Sequence, residues 1–392
     1  MKDATLTGVV GRNPAEQSGI VNRPVYHAST VVFPTLDALR GSAATRSGDG
    51  MTYGIHGTPG TYGLEEAIAT LEGGYRTRLC NSGLQACAAP LLCYLGTGDH
   101  LLVPDNVYGP TRNFANGMLK RMGVETTFYD PEIGGGIRDL LRPDTKVVFT
   151  ESPGSWTFEI QDIPAIAEEA HKAGAVVVMD NTWATPLYFK PFEHGVDVSV
   201  HAVTKYLGGH SDMIMGCVTT TEAAYGPLQK GWQELGLCGS PDDTFLATRG
   251  LRSLDARMER HQRNGLTVAH WLMEQPQVAE VIHPALEHDP GHAIWKRDFL
   301  GASSLFGFTL KEAFSGDACL RQILDHSEHF GMGFSWGGFE SLLIPVSPAK
   351  RRSATQWPKT GRPEGQLMRI HVGLEDPGDL IDDLAAGFKR MG

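Results

Sequence analysis

The sequence predicts an α/β fold with a mostly parallel central sheet covered by helices, plus a smaller C-terminal α/β domain. Three observations carry this. Strand-like apolar runs alternate with helical patterns between about residues 61 and 255, the order that builds a parallel sheet with helices on its faces. One run, Ala175 to Met179 (AVVVM), is apolar at every position, as a strand buried on both faces requires. Beyond about residue 255 a long polar helix leads into a second set of strand-like segments. A chain of 392 residues also exceeds one ordinary core, which points to roughly two or three domains.

The first 60 or so residues are rich in Gly, Pro, Ser and Thr and show little periodicity. They read as an irregular arm that lies on something else. Leu64, Ala67, Ile68 and Leu71 then share one helical face, and Gly73-Gly74 ends that helix. Leu101 to Val103 reads as a strand, 111–122 as a helix, 124–129 and Lys146 to Thr150 as strands. Asp162 is placed to cap a helix that carries Pro164 in its first turn and runs to Lys172, with Gly174 as its stop. Val196 to Val200 is the next strand. A helix over 256–274, strands at 278–282, 304–310, 341–346 and 368–374, and a helix over 378–390 complete the chain.

Composition excludes several classes. Net charge is −11, and the 34 basic residues are scattered, so an acidic surface repels nucleic-acid backbones. The densest basic spot, Lys350-Arg351-Arg352, sits in a polar stretch and reads as a solvated loop. The N-terminus lacks a signal-peptide core, and no apolar run reaches the ~18 residues a membrane span needs. A cytoplasmic location is expected. None of the six cysteines forms a CxxC pair, which fits buried reduced thiols.

In open parallel sheets, ligands gather at the carboxyl ends of the strands. Asp180 follows AVVVM directly, and Lys205 follows VDVSV by the short loop HAVT. An acid and a lysine at neighbouring strand ends suit pyridoxal phosphate. The lysine forms a Schiff base, and the carboxylate keeps the pyridine nitrogen protonated. Taken singly, each residue has a commoner explanation: a loop lysine is usually a solvated charge, and an Asp after a strand a turn residue or cap. Asn81-Ser82-Gly83-Leu84-Gln85 opens an Ala-rich apolar helix whose free N–H groups could hold a phosphate, although an ordinary cap is the more common use. Thr204 stands beside the lysine as a hydroxyl donor.

Competing motifs are weaker. Gly96-Thr97-Gly98 lacks the third glycine and the following helix of a dinucleotide site. His283, His288 and His292, and His326 with His329, lack supporting ligands at metal spacing, so no metal is expected. Gly333-Phe334-Ser335-Trp336-Gly337 formally fits the nucleophile elbow of a serine hydrolase using Ser335. His371 is the sole later histidine, however, and too little chain follows for a full acid–base set.

Several longer segments are familiar together: Glu151-Ser152-Pro153-Gly154-Ser155, Asp180-Asn181-Thr182-Trp183, the run from Thr204-Lys205-Tyr206 to Ser211-Asp212, Trp295 to Phe299, Ser335-Trp336-Gly337-Gly338 and Arg369-Ile370-His371-Val372-Gly373. With these the chain resembles the cysteine/methionine-metabolism family of fold-type-I pyridoxal-phosphate enzymes from about residue 20 to the end, and within it the carbon–sulfur β-lyases. The resemblance implies Lys205 as the Schiff-base lysine and catalytic base, Asp180 on the pyridine nitrogen, and Tyr108 stacked on the cofactor ring. Gly83, Leu84 and Thr204 would contact the phosphate. Tyr53 would reach the neighbouring subunit's phosphate. Arg369 would clamp the substrate α-carboxylate, with Ser335 and Trp336 bordering the substrate. The implied domains are an arm over 1–60 that contributes to the neighbouring subunit, a cofactor-binding domain over 61–255 and a C-terminal domain over 256–392. A homotetramer built from two dimers is expected, with a small sulfur amino acid as the only other partner.

The implied reaction cleaves L-cystathionine or a related cysteine thioether to a thiol, pyruvate and ammonia. A cysteine desulfhydrase or a biosynthetic cysteine-S-conjugate lyase of the same family is the alternative. Two departures bear on the substrate. Where the family carries Tyr-x-Arg, often with a second arginine, this chain reads Tyr53-Gly54-Ile55-His56, so fixed positive charge there is absent or replaced by a titrating imidazole. Gln233 stands where close relatives carry a tyrosine.

Overall fold

The computed structural model describes residues 1–42 and 50–392. Seven strands form the larger sheet: β1 (Arg76–Cys80), β2 (His100–Pro104), β3 (Glu125–Tyr129), β4 (Thr145–Glu151), β5 (Val176–Asp180), β6 (Val198–Ala202) and β7 (Gly216–Thr220). Their order across the sheet is β1-β7-β6-β5-β4-β2-β3. Both neighbours of β7 run against it, while β6, β5, β4, β2 and β3 are mutually parallel. The sheet is thus mostly parallel, as the alternating pattern predicts. Val177, Val178 and Met179 are completely buried, because helices cover both faces at the sheet's centre.

The predicted strands match the observed ones to within one to three residues; element ends are uncertain by one or two, and the last strand, predicted over 368–374, stops at His371. Two strands of this larger sheet carried no clear signal. In β1, Arg76 and Arg78 interrupt the apolar pattern; the Arg78 guanidinium is neutralised by Glu65 at 3.0 Å and held by the Gln229 side chain at 2.7 Å. In β7, Thr219 and Thr220 are fully buried, and Thr219 bonds across to Thr77 at 2.7 Å. Arg78 and Thr219 are satisfied through tertiary partners that a linear pattern does not reveal.

Helix α1 (Asp3–Val9) packs against α2 (Pro59–Glu72). Arg252 holds it through the Thr7 and Val10 carbonyls at 2.7 and 2.9 Å, and Lys190 bonds Asp3 at 2.7 Å. The start of the chain is therefore docked on its own subunit. By contrast, Ile20, Val21, Val32, Leu36 and Leu39 expose large apolar side chains. Helix α2 ends on Gly73 at φ +75°, the left-handed cap that glycine supplies without strain. Next, α3 (Gly83–Tyr94) opens beneath the carboxyl edge of the sheet. Asp162 caps α4 (Ile163–Lys172) by accepting the Ala165 N–H at 3.2 Å.

The long helix α5 (Leu254–Met273) leads to a second sheet of five strands, ordered β10-β11-β12-β9-β8. These are β8 (Val278–Ile282), β9 (Leu305–Leu310), β10 (Phe330–Gly331), β11 (Ser341–Val346) and β12 (Leu367–His371). The closing helix α6 (Pro377–Met391) packs on this sheet through Leu380, Leu384 and Phe388. Two of the strands of this smaller sheet, β9 and β12, carry Leu305 and Arg369 to the cavity described next.

Candidate active site

A cavity of about 290 Å³ opens where the carboxyl ends of β4, β5 and β6 meet the loop before β11. Asp180 ends β5 and Lys205 sits three residues beyond β6, both facing this space. The Lys205 amine donates to Ser335 Oγ at 2.8 Å and stands 5.1 Å from the centre of the Trp336 ring. Burial lowers its pKa to about 8; Arg369 pushes in the same direction and Asp180 opposes them. A lysine so placed is much closer to a free amine at neutral pH than a surface lysine.

Asp180 accepts from the backbone N–H of Thr182 at 3.0 Å, from the Thr182 hydroxyl, and from the Cys87 thiol at 3.6 Å. These donors orient the carboxylate toward the cavity. Beside it, in register on the neighbouring parallel strand, is Glu151. Burial, reinforced by the charge of Asp180, pushes Glu151 well above the ordinary carboxylate range, against the pull of the Tyr108 N–H at 2.6 Å. The Tyr108 ring lines the same cavity and is half-exposed there.

Arg369, on β12, is buried. Its guanidinium donates to the carbonyls of Gly333, Phe334 and Ser335 at 2.9, 3.3 and 3.1 Å, and burial lowers its pKa to about 10. No carboxylate neutralises it among the described residues. The loop it grips is also fixed from behind: the Gly337 N–H donates to His371 Nε2 at 3.1 Å, and Trp336 rests on Tyr206 with ring centres 5.5 Å apart. Ser335 and Trp336 are thereby held over Lys205.

This geometry disposes of the serine hydrolase. Ser335 lies in the loop between β10 and β11 with no helix behind it. Its hydroxyl faces Lys205, and His371 is spent on backbone groups of Gly337 and Gly338. Of the histidines weighed as metal ligands, His288 and His292 each bond a backbone carbonyl, at 2.9 and 3.1 Å.

The chain matches, over residues 4–389, the model of the Cys/Met metabolism PLP-dependent enzymes. It is 39% identical over 389 residues to cystathionine beta-lyase MetC of Escherichia coli (strain K12), covering 97% of this chain and 96% of that protein. It is 40% identical over 400 residues to the L-alanine/L-glutamate racemase of Wolbachia pipientis wMel, covering 100% and 98%. In structure it is similar to cystathionine gamma synthase from Xanthomonas oryzae pv. oryzae, solved in complex with aminoacrylate and cysteine, at a TM-score of 0.89 and 32% identity over 100% and 98% of the two chains. This chain belongs to the Cys/Met metabolism PLP-dependent enzyme family.

The residues present fit pyridoxal phosphate, the cofactor of the family. Ser82 caps α3 by accepting the Gln85 N–H at 3.1 Å, which leaves the N–H groups of Gly83 and Leu84 without helical acceptors at the positive end of the helix. Gly83 is demanded by space: a Cβ there would come within 2.5 Å of the Ala202 side chain at the end of β6. Lys205 and Asp180 line the same cavity as this helix end. Thr204 also lines it, but its hydroxyl is engaged by the Met215 backbone, donating to O at 3.1 Å and accepting from N at 3.0 Å.

Tyr53 is not brought to this cavity within one chain. It is exposed, near Ser29 and the His56 ring. Ile55, His56, Trp232 and Gln233 line a separate cavity of about 70 Å³. Sequence reading left three features without a role. The acid Glu151 ends its strand just as Asp180 does, so the same strand-end rule could have found it. Cys87 carried no signal. The third is a correction confined to Arg352: Lys350 and Arg351 are solvent-exposed as the sequence predicts, but Arg352 is not. The Arg352 side chain is 3% exposed and paired with Glu159 at 2.9 Å, and Arg351 lines the active-site cavity.

Proposed function

We propose that this protein is a carbon–sulfur β-lyase that cleaves L-cystathionine or a related cysteine thioether to a thiol, pyruvate and ammonia. The observation that carries it is the meeting of Lys205, Asp180, Trp336 and Arg369 around one cavity, in a chain whose relatives include a cystathionine beta-lyase. The cofactor, when bound, supplies the electron sink that makes the substrate Cα–H acidic.

The protein's own groups do the rest. Arg369, pre-oriented by three carbonyls, takes the α-carboxylate in a two-pronged contact and fixes the amino acid's direction. Lys205, with its lowered pKa, takes the Cα proton as general base, a role worth roughly 10²–10⁴-fold in rate. Ser335 keeps its amine directed. Asp180 would pair with the ring nitrogen and hold a proton there. Tyr108 covers one face of the ring, and Trp336 walls the side on which the leaving thiol departs. Tyr53, with the residues around it, is assigned to the site of a neighbouring subunit in a homotetramer. No helix of the described residues is long and apolar enough to cross a membrane, and we assign the enzyme to the cytoplasm.

The racemase relative names the main competitor, because the same lysine could return the proton to Cα without breaking a C–S bond. Purified protein is tested by its absorbance spectrum, then by pyruvate release from L-cystathionine and chiral analysis of L-alanine and L-glutamate. A cofactor band with rapid pyruvate release is expected. Racemisation without pyruvate would replace the lyase reading, and α-ketobutyrate in place of pyruvate would mark a γ-lyase.

A further inference from the structure

Arg351 is solvent-exposed and lines the active-site cavity, with no ion-pair partner for its guanidinium among the described residues. It lines the same cavity as Lys205 and Arg369, and no carboxylate lies within ion-pair distance of it among the described residues. Three features hold it there. Its guanidinium carbon lies 4.3 Å from the centre of the Trp156 ring, a cation–π contact. That tryptophan is itself presented from a left-handed backbone, φ +69°, which a bulky residue adopts only at a cost. On the other side is Gly109, the residue after Tyr108, where a Cβ would meet Arg351 Nη1 at 1.9 Å. Only glycine leaves room for the guanidinium beside the cofactor-covering tyrosine.

The segment that carries Arg351 is pinned rather than loose. Asp105, whose side chain is fully buried, accepts the backbone N–H groups of Ser353, Ala354 and Thr355 at 2.7–3.1 Å, together with both hydroxyls of Ser353 and Thr355. Arg112 neutralises that carboxylate. Arg352 is anchored by Glu159. Two buried ion pairs thus fix the residues on the C-terminal side of Arg351 and leave Arg351 itself at the cavity. A guanidinium without a counter-charge, stacked and given space beside a binding cavity, is arranged for an anion from outside the protein.

The α-carboxylate has Arg369, and the phosphate has the amino end of α3. We propose that Arg351 is a specificity-determining residue that binds a carboxylate at the far end of the sulfur substituent, in the half of the substrate that leaves as the thiol. This rests on the β-lyase reading.

The test compares two near-isosteric substrates, S-(2-carboxyethyl)-L-cysteine and S-propyl-L-cysteine, by pyruvate release. In Arg351→Ala the ratio of kcat/KM for the acid over the alkyl compound should fall about 10- to 100-fold. Arg351→Lys should keep part of the ratio, and Arg351→Glu should shift preference toward S-(2-aminoethyl)-L-cysteine. Cofactor titration of each variant should give a dissociation constant within about threefold of the parent. A ratio unchanged within twofold in Arg351→Ala overturns the proposal, and so does a loss of cofactor binding, which would make Arg351 a cofactor ligand. If the parent enzyme turns over neither compound, it is the β-lyase reading that fails, and the role of Arg351 falls with it.

Discussion

Glu151 and Asp180 stand side by side at the carboxyl ends of adjacent parallel strands, paired in register, and both line the active-site cavity. Their donors differ. Asp180 receives two N–H or O–H groups from Thr182 and the Cys87 thiol; among the described residues, the Glu151 carboxylate receives the Tyr108 N–H alone. Two carboxyls this close rarely both ionise, and this arrangement favours the proton on Glu151.

Glu151 therefore has a folded pKa raised above its unfolded value. The native state binds the extra proton from about pH 4.3 upward, so stability falls as pH rises across that window. Glu151→Gln keeps the neutral shape and removes the penalty. Its Tm relative to the parent should climb between pH 6 and pH 9, while Asp180→Asn should cost about a hundredfold or more in kcat by taking the charge from the ring nitrogen. Thermal melts at the two pH values check the first half. A Tm difference that does not change with pH would show Glu151 ionised in the parent.

The lowered pKa of Lys205, about 8, has a kinetic signature. Only the neutral amine attacks an aldehyde, and below pH 8 each pH unit changes its fraction about tenfold. The rate at which apoprotein takes up pyridoxal phosphate, followed by absorbance, should rise with pH and level off just above 8. A rise continuing to pH 10 would mean that burial does not depress this lysine. Lys205→Ala should abolish pyruvate release, whatever the pH.

Gly83 has no special backbone angle; its constraint is the 2.5 Å approach of Ala202. Gly83→Ala must push the amino end of α3 away from β6, where Gly83 and Leu84 present their free N–H groups. Overpacking of this kind costs typically 1–3 kcal/mol. The expected result is cofactor affinity at least tenfold weaker in fluorescence titration, with near-parental circular dichroism. Parental affinity would remove the helix end from the phosphate site.

Arg369→Lys keeps the charge but not the two-pronged geometry, and a single ammonium cannot replace three contacts to the Gly333–Ser335 carbonyls. We expect kcat/KM to fall by about 10²-fold, mostly in KM. Steady-state kinetics decide it. A loss confined to kcat would point to disturbance of Lys205 through Ser335 instead.

Much of this was legible in the linear chain. Alternating apolar runs announced the parallel sheet, because burial on both faces leaves no room for polar positions. The strand-end rule singled out Asp180 and Lys205, since a parallel sheet aims its carboxyl ends at one crevice. Capping residues such as Asp162 and Gly73 marked helix ends through purely local backbone chemistry. These features depend on neighbours in sequence.

What tertiary structure alone decided depends on neighbours in space. The strands β1 and β7 satisfy Arg78 and Thr219 with partners from distant segments, so their sequences look too polar to be buried. The proton on Glu151 follows from strand register. Arg351 and Arg352 look alike in the chain, yet one is an anchored ion pair and the other an exposed cation at the cavity. That difference is made by Glu159, Trp156 and Gly109, close to 200 or more residues earlier in the chain and brought close only by folding.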